Sequence, residues 1–156
     1  MKNEIERLKR LENYAILDTM AEVDFENITR IAAAICRTPI SLISFVDKHR
    51  QWFKSHHGLE VSETLRAYSF CSHAIQKPYD PFIVTDATQD HRFKDNPLVT
   101  GEPNIRYYAG IPLVDDEDYA LGTLCVIDYE SRQLNDIQID ALKVLAKQVI
   151  TLLELR

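Results

Sequence analysis

Residues 105–128 read IRYYAGIPLVDDEDYALGTLCVID, and the architecture hinges on them. Two apolar runs, about 105–114 and 120–128, predict two strands of a hairpin. Between them Asp115, Asp116, Glu117 and Asp118 place four like charges in a row, which a core does not take up, so the tip is expected in water. Ile105, Tyr107, Ala109, Ile111 and Leu113 share one parity, and Tyr108, Gly110, Pro112 and Val114 the other. In the second run Leu121, Thr123, Cys125 and Ile127 alternate with Ala120, Gly122, Leu124 and Val126. Both parities are mostly apolar, so both faces of the sheet must be covered. Function is therefore sought in whatever covers the second face. Pro112 removes a ladder donor inside the first strand, so a bulge or break is expected near Gly110-Ile111-Pro112.

Upstream of the hairpin, residues 40–47 (ISLISFVD) are rich in β-branched and aromatic side chains and predict a strand. A polar turn at Lys48-His49 leads to a return strand at 50–57 (RQWFKSHH), whose mixed character suits a half-exposed edge, with His56 and His57 solvated. Residues 58–65 read as a loop. Residues 69–76 (SFCSHAIQ) predict a short helix capped by Ser69 and stopped by Pro78, and 82–84 a brief strand. Residues 86–101 are irregular, with one or two helical turns, and carry charged and aromatic residues together; a long irregular connection of this kind is often functional.

The two ends read as helices. Over residues 3–14, Ile5, Leu8, Leu11 and Ala15 recur at helical spacing among charges. Leu17-Asp18-Thr19 breaks this helix, and Thr19 with Glu22 has the form of a capping box for a second helix running to about residue 37. That helix carries Phe25, Ile28, Ile31, Ala32 and Ile35 on one side and ends at Thr38-Pro39. Asn135 with Gln138 signals the start of a last helix over 136–155, with Leu142, Leu145, Val149 and Leu152 as its stripe and Ile137, Ala141 and Val144 beside them. A stripe that wide can pack on a sheet and also touch a neighbour.

At 156 residues the chain fits one domain with a real core. Its net charge of −6 and pI near 5.3 argue against a nucleic-acid surface. No apolar run approaches the roughly 20 residues that span a membrane, and the polar start MKNEIERLKR is not a signal peptide. Cys36, Cys71 and Cys125 are odd in number and widely spaced, which argues for reduced thiols in a cytoplasm rather than a disulfide framework.

The chain resembles a GAF domain, of the bacterial subgroup found alone or fused to histidine kinases and diguanylate cyclases. The resemblance rests on LDT (17–19), ISLISFVD (40–47), RQWFKS (50–55), SFCSHAI (69–75), VTDATQDHRFKDNPLVTGEP (84–103), IRYYAGIPL (105–113) and ALGTLCVID (120–128), which cover nearly the whole chain as a single domain, 1–156. It implies an α+β, GAF/PAS-like antiparallel sheet ordered 2-1-5-4-3. Terminal helices would lie on one face, with short helices and loops over the other. It also implies a non-catalytic sensory role: an unknown small molecule bound between the sheet and residues 58–104, and a signal relayed through the terminal helices of a homodimer. No output domain is attached, so the signal passes to a separate partner or the chain is a fragment.

Within that frame the expected ligand-binding residues are Phe70, Cys71, His73, Asp86, Arg92, Phe93, Asn96, Tyr107, Thr123 and Cys125, with no catalytic residue and no metal. A mostly apolar pocket needs a few placed polar groups, and Asp86, Arg92 and Asn96 are the candidates, although Asp86 and Asn96 equally suit turn caps. Tyr107 and Tyr108 point to opposite faces, so at most one lines the pocket. Cys71, His73 and Cys125 fall one short of the four ligands usual for structural zinc. Some GAF proteins reduce free methionine sulfoxide with pocket cysteines, which makes a thiol-dependent reductase of a small oxidised metabolite the alternative, although buried cysteine is usually a small hydrophobe. Bilin attachment uses a cysteine followed directly by histidine, and here Ser72 intervenes. The Asn-Lys-Phe-Asp-Glu set of cyclic-nucleotide GAF domains is not found. A third alternative is a dimerisation module with a vestigial pocket.

Overall fold

A computed structural model describes residues 3–156. The hairpin is formed by β5 (Tyr107–Val114) and β6 (Ala120–Asp128). A second hairpin joins β1 (Ile40–Val46) to β2 (Arg50–His57), and β1 pairs with β6 at the centre of the sheet. Two three-residue strands, β3 (Glu63–Leu65) and β4 (Phe82–Val84), close the edges, giving an antiparallel sheet ordered β3-β2-β1-β6-β5-β4. The sixth strand is a correction to the loop expected over 58–65, and it takes β2 off the edge. Arg50, Gln51 and Trp52 pair with Leu65, Thr64 and Glu63, and the middle of β2 is buried.

Three long helices cover one face. α1 (Glu4–Tyr14) is capped by Asn3, whose Oδ1 accepts from the amides of Ile5 (2.9 Å) and Glu6 (3.3 Å). α2 (Val23–Cys36) ends at Arg37 in the left-handed region, just before Thr38-Pro39. α3 (Cys71–Ala74) and α4 (Pro97–Thr100) are single turns in the lid over the other face, and α5 (Asp136–Leu155) opens with the Asn135/Gln138 capping box. No helix among the described residues is long and apolar enough to cross a membrane.

The helix-side core contains Leu11, Phe25, Ile28, Ala32, Leu142, Ala146 and Val149 against Ile43, Phe45, Trp52, Tyr107, Ala109, Leu124 and Val126. Each large side chain buried here contributes on the order of 1.5–3 kcal/mol. The buried positions of α5 are Leu142, Ala146, Val149 and Leu153, with Leu145 and Leu152 at the margin. Ile137 and Val144 face solvent, as do Ile31 and Ile35 of α2, which the sequence put on the buried side.

Three local expectations are corrected. The register shift in the β5–β6 hairpin falls at Leu113/Val114, and the pairing runs unbroken through Pro112 opposite Thr123. Leu121 is the extra residue of that bulge, which turns it to the helix side beside Leu124 and Val126. Of the four acids at the tip, Asp115 is buried. It accepts from Arg10 Nε (2.7 Å) and from the amides of Glu117 (3.1 Å) and Tyr119 (2.9 Å), so protein donors replace water. Thr19 does not cap α2; its hydroxyl donates back to the Ile16 carbonyl (2.5 Å). Glu22 is drawn instead to Lys54 (2.5 Å), the extra residue of the β1–β2 bulge. That buried ammonium also donates to Thr19 Oγ1 (2.9 Å) and the Met20 carbonyl (2.5 Å), which satisfies all three donors.

α1 is tied to the sheet and to the lid. The buried Arg7 guanidinium reaches the Ala120 carbonyl (3.4 Å) and Glu4 (2.8 Å). The same Glu4 carboxylate accepts from Arg66 (2.8 Å), which also donates to the Asp47 carbonyl (3.0 Å). Its arginine partners, Arg7 foremost, hold the Glu4 carboxyl down at about 2.

Candidate functional site

The second face of the sheet has two unlike halves. Over β4 and β5 the lid packs solid. The rings of Phe70 and Phe93 stack at 3.9 Å and 6° between planes, and Tyr108 lies 5.1 Å beyond Phe70. Phe82 meets Phe93 (6.2 Å) and Tyr108 (6.0 Å) edge-on, as His73 meets Phe93 (5.0 Å). Arg92 lays its guanidinium over Phe82 (4.9 Å) and Phe93 (5.3 Å), and Asp90 holds it through two charged hydrogen bonds. Gly110 makes room for this: a Cβ there would lie 2.6 Å from the Tyr108 hydroxyl, so the ring leans across the strand only above a glycine.

Over β1, β2 and β6 the lid stands off and leaves a pocket of about 660 Å³. Leu42, Phe53, Cys125 and Ile127 form its floor, Phe70 and Tyr108 of the aromatic stack form its inner wall, and Leu59, Val61, Leu98, Pro103 and Ile105 form the outer wall. The volume and the apolar walls suit a small organic molecule. Gly58 begins the loop on one side. Its φ of +79° and the Pro39 carbonyl, 2.0 Å from where a Cβ would sit, leave no place for a side chain.

Polar groups enter at two levels. Gln51 is buried in the floor and held at both ends, accepting from Cys71 Sγ (2.9 Å) and donating to Thr64 Oγ1 (2.5 Å). Thr64 accepts that bond, which leaves its own hydroxyl hydrogen to donate. Glu60, Glu102 and Asn104 stand exposed at the rim.

Of the residues expected from sequence, Phe70 and Cys125 line this pocket. Phe93, His73 and Arg92 belong to the aromatic stack. Thr123 bonds the Tyr108 hydroxyl (3.1 Å), and Cys71 anchors Gln51. Asp86 caps the turn at 87–89 through the Thr88 amide and hydroxyl, and Asn96 caps α4 and donates to the Tyr68 carbonyl (3.0 Å). Tyr107 points into the helix-side core, so Tyr108 is the tyrosine at the pocket. The expected span 58–104 contains Thr64, Leu98 and most of the 58–61 and 102–105 segments without singling out any of their residues, and Gln51 was missed altogether. The signal for Gln51 was available, since an amide among the aromatic residues of a strand needs a reason.

Burial shapes the thiols. It pushes Cys36 up to about 11 and Cys71 to about 12, and Cys125 is raised further for the same reason. All three thiols are free, and no cluster of three or more potential metal ligands occurs among the described residues. Burial also lowers His73, with Arg92 adding to the effect.

Comparison with known proteins agrees with this architecture. The chain is 46% identical over 131 residues to a cyclic di-GMP phosphodiesterase of Pseudomonas aeruginosa, covering 84% of this chain and 22% of that protein's length. Among solved structures it is similar to the GAF domain of an Acinetobacter phosphoenolpyruvate-protein phosphotransferase (TM-score 0.70, 17% identity, 99% of this chain and 95% of that one). It is also similar to a type II free methionine-R-sulfoxide reductase of Thermoplasma acidophilum (TM-score 0.68, 11% identity, 92% and 94%). At those identities the two structures show a shared fold and nothing more. The family profile described as the GAF domain matches residues 21–153, and the chain belongs to the GAF domain family.

Proposed function

We propose that this chain is a single, non-catalytic, small-molecule-sensing domain of a cytoplasmic signalling system, with its ligand in the pocket between β1, β2, β6 and the 58–61 and 102–105 segments. The observation that carries the reading is the split second face: the solid half fixes the lid, and the open half leaves room for a ligand. Phe70 and Cys125 contact the ligand. Cys71, His73, Asp86, Arg92, Phe93, Asn96 and Thr123 hold the wall behind it. The likeness to a stretch of a cyclic di-GMP phosphodiesterase supports an input role for a separate or fused enzyme of that kind. The relay runs from Thr64 in the pocket wall through Arg66 to Glu4, and so to α1. Exposed Ile5 on α1 and Ile137, Val144 and Leu155 on α5 suit contact with a second copy, whose packing would change as the two ligand states differ in affinity.

The thiols favour sensing over the reductase alternative. A reductase needs a thiolate, and burial disfavours the thiolate at all three cysteines. The direct experiment is native mass spectrometry of the freshly purified protein beside Leu98→Trp, which fills the pocket from its outer wall. The expected result is a retained small molecule on the native chain and none on the variant. Identical spectra with no added mass, with the oligomer intact in both, would leave only the dimerisation role.

A further inference from the structure

The lining of the pocket is lopsided in charge. Glu60 and Glu102 stand at its rim, and no lysine, arginine or histidine is among the described residues that line it. Neither carboxylate makes an ion pair or a side-chain hydrogen bond among the described residues, whereas Glu4, Asp18, Glu22, Glu63, Asp90, Asp115 and Asp128 all pair with a cation. The arginine nearest Glu102 in sequence, Arg106, does not line the pocket and donates through Nη1 to the carbonyls of Val99 and Ile105. The whole chain carries a net charge of −6, so no long-range field offsets the rim. Deeper in, the walls are the rings of Phe53, Phe70 and Tyr108 and the aliphatic chains of Leu42 and Ile127. An anion entering here would lose its hydration and meet two like charges with no counter-ion.

Resting on the reading of this pocket as a ligand site, we propose that it selects an amine. The ligand has an apolar or aromatic body seated over Phe53, Phe70 and Tyr108, and a protonated nitrogen at the rim between Glu60 and Glu102. Carboxylate- and phosphate-bearing metabolites are excluded. The Gln51–Thr64 pair then offers a donor to a neutral acceptor on the buried end of the molecule, a contact independent of the rim charge.

Two matched probe series test this at pH 7.5: tryptamine, tryptophol and indole-3-propionate, and 1-naphthylmethylamine, 1-naphthalenemethanol and 1-naphthoate. Binding is read from saturable shifts of the Leu98, Ile105 and Ile127 amide resonances. The amine of each series is expected to bind about fivefold tighter than its alcohol, and the carboxylate to give no saturable shift. In Glu60→Gln/Glu102→Gln, two exposed substitutions, amine and alcohol come within about twofold. A carboxylate binding as tightly as its amine, or an amine preference unchanged in the double variant, would overturn the proposal while leaving the pocket a ligand site. No shift from any of the six probes, with the native chain and Leu98→Trp alike, would remove the proposal and the sensing role together.

Discussion

The two faces of this sheet are covered by the same means, apolar side chains from helices and loops, but to different ends. On the helix side, long helices lay whole stripes on the strands, Leu11, Phe25, Leu142 and Val149 are fully buried, and the groove between α5 and β5 lies at the margin of that core. On the lid side, the covering chain is short turns and loops that cannot follow the sheet everywhere. It is pinned down over β4 and β5 by one aromatic stack, and it arches over β1, β2 and β6. A cavity here therefore needs no special hollowing. It results from covering a six-stranded sheet with segments too short to reach across it.

That contrast can be broken first at the stack. Phe93→Ala is expected to cost about 3–5 kcal/mol in urea unfolding, within about 1 kcal/mol of Phe25→Ala on the helix side, because both rings are fully buried. A loss below about 1 kcal/mol would mean that the lid is a loose flap and not core. Next is the start of the arch. Gly58→Ala must adopt a left-handed conformation and push its Cβ into the Pro39 carbonyl, at an expected cost of about 2–3 kcal/mol by the same measurement. Stability equal to the native chain would show that the 58–61 segment can be rebuilt freely.

The smallest effect tests the link between the two faces. The carboxyl of Glu4 is held near 2, below the ordinary 4.5, by Arg7 first and then Arg66. A depressed pKa stabilises the fold fully above 4.5, and the contribution fades as pH falls from there through about 2. Glu4→Gln should therefore lower the melting temperature by about 1–3 °C at pH 7, with the gap narrowing as pH falls below 4.5 and closing only near pH 2, since the carboxylate is partly exposed and screened. A gap that stays constant with pH would mean that shape, not charge, joins α1 to the lid.

The two-faced sheet was legible in residues 105–128, because apolar residues at both parities permit no solvated face. The α5 capping box was legible for the same kind of local reason, since Asn135 and Gln138 meet within one turn. The features that sequence missed depend on contacts far along the chain. Asp115 reads as one more surface acid until Arg10, from α1, is brought beside it. β3 is three residues, Glu63, Thr64 and Leu65, with no alternation long enough to register. Bulges at Lys54 and Leu121 flip the facing of the residues beyond them, so strand parity alone misassigns those positions. The pocket was sought beneath Cys71, Asp86 and Tyr107. Cys71 packs there with Val46, Ile75 and Ala120, Asp86 caps a turn and Tyr107 lies on the other face, and only the three-dimensional stack of Phe70 on Phe93 shows that the opening lies to one side.

The clamp that Glu4 and Arg7 make has a practical corollary for anyone transplanting the module. The family profile starts at residue 21, yet Arg7 reaches the backbone of β6 and Glu4 grips Arg66 at the foot of the lid. A chimera spliced at residue 21 would uncover Leu11's seat on the sheet and free Arg66, so a receptor built that way would lose its latch along with its lead-in. Splice points upstream of Asn3 keep both.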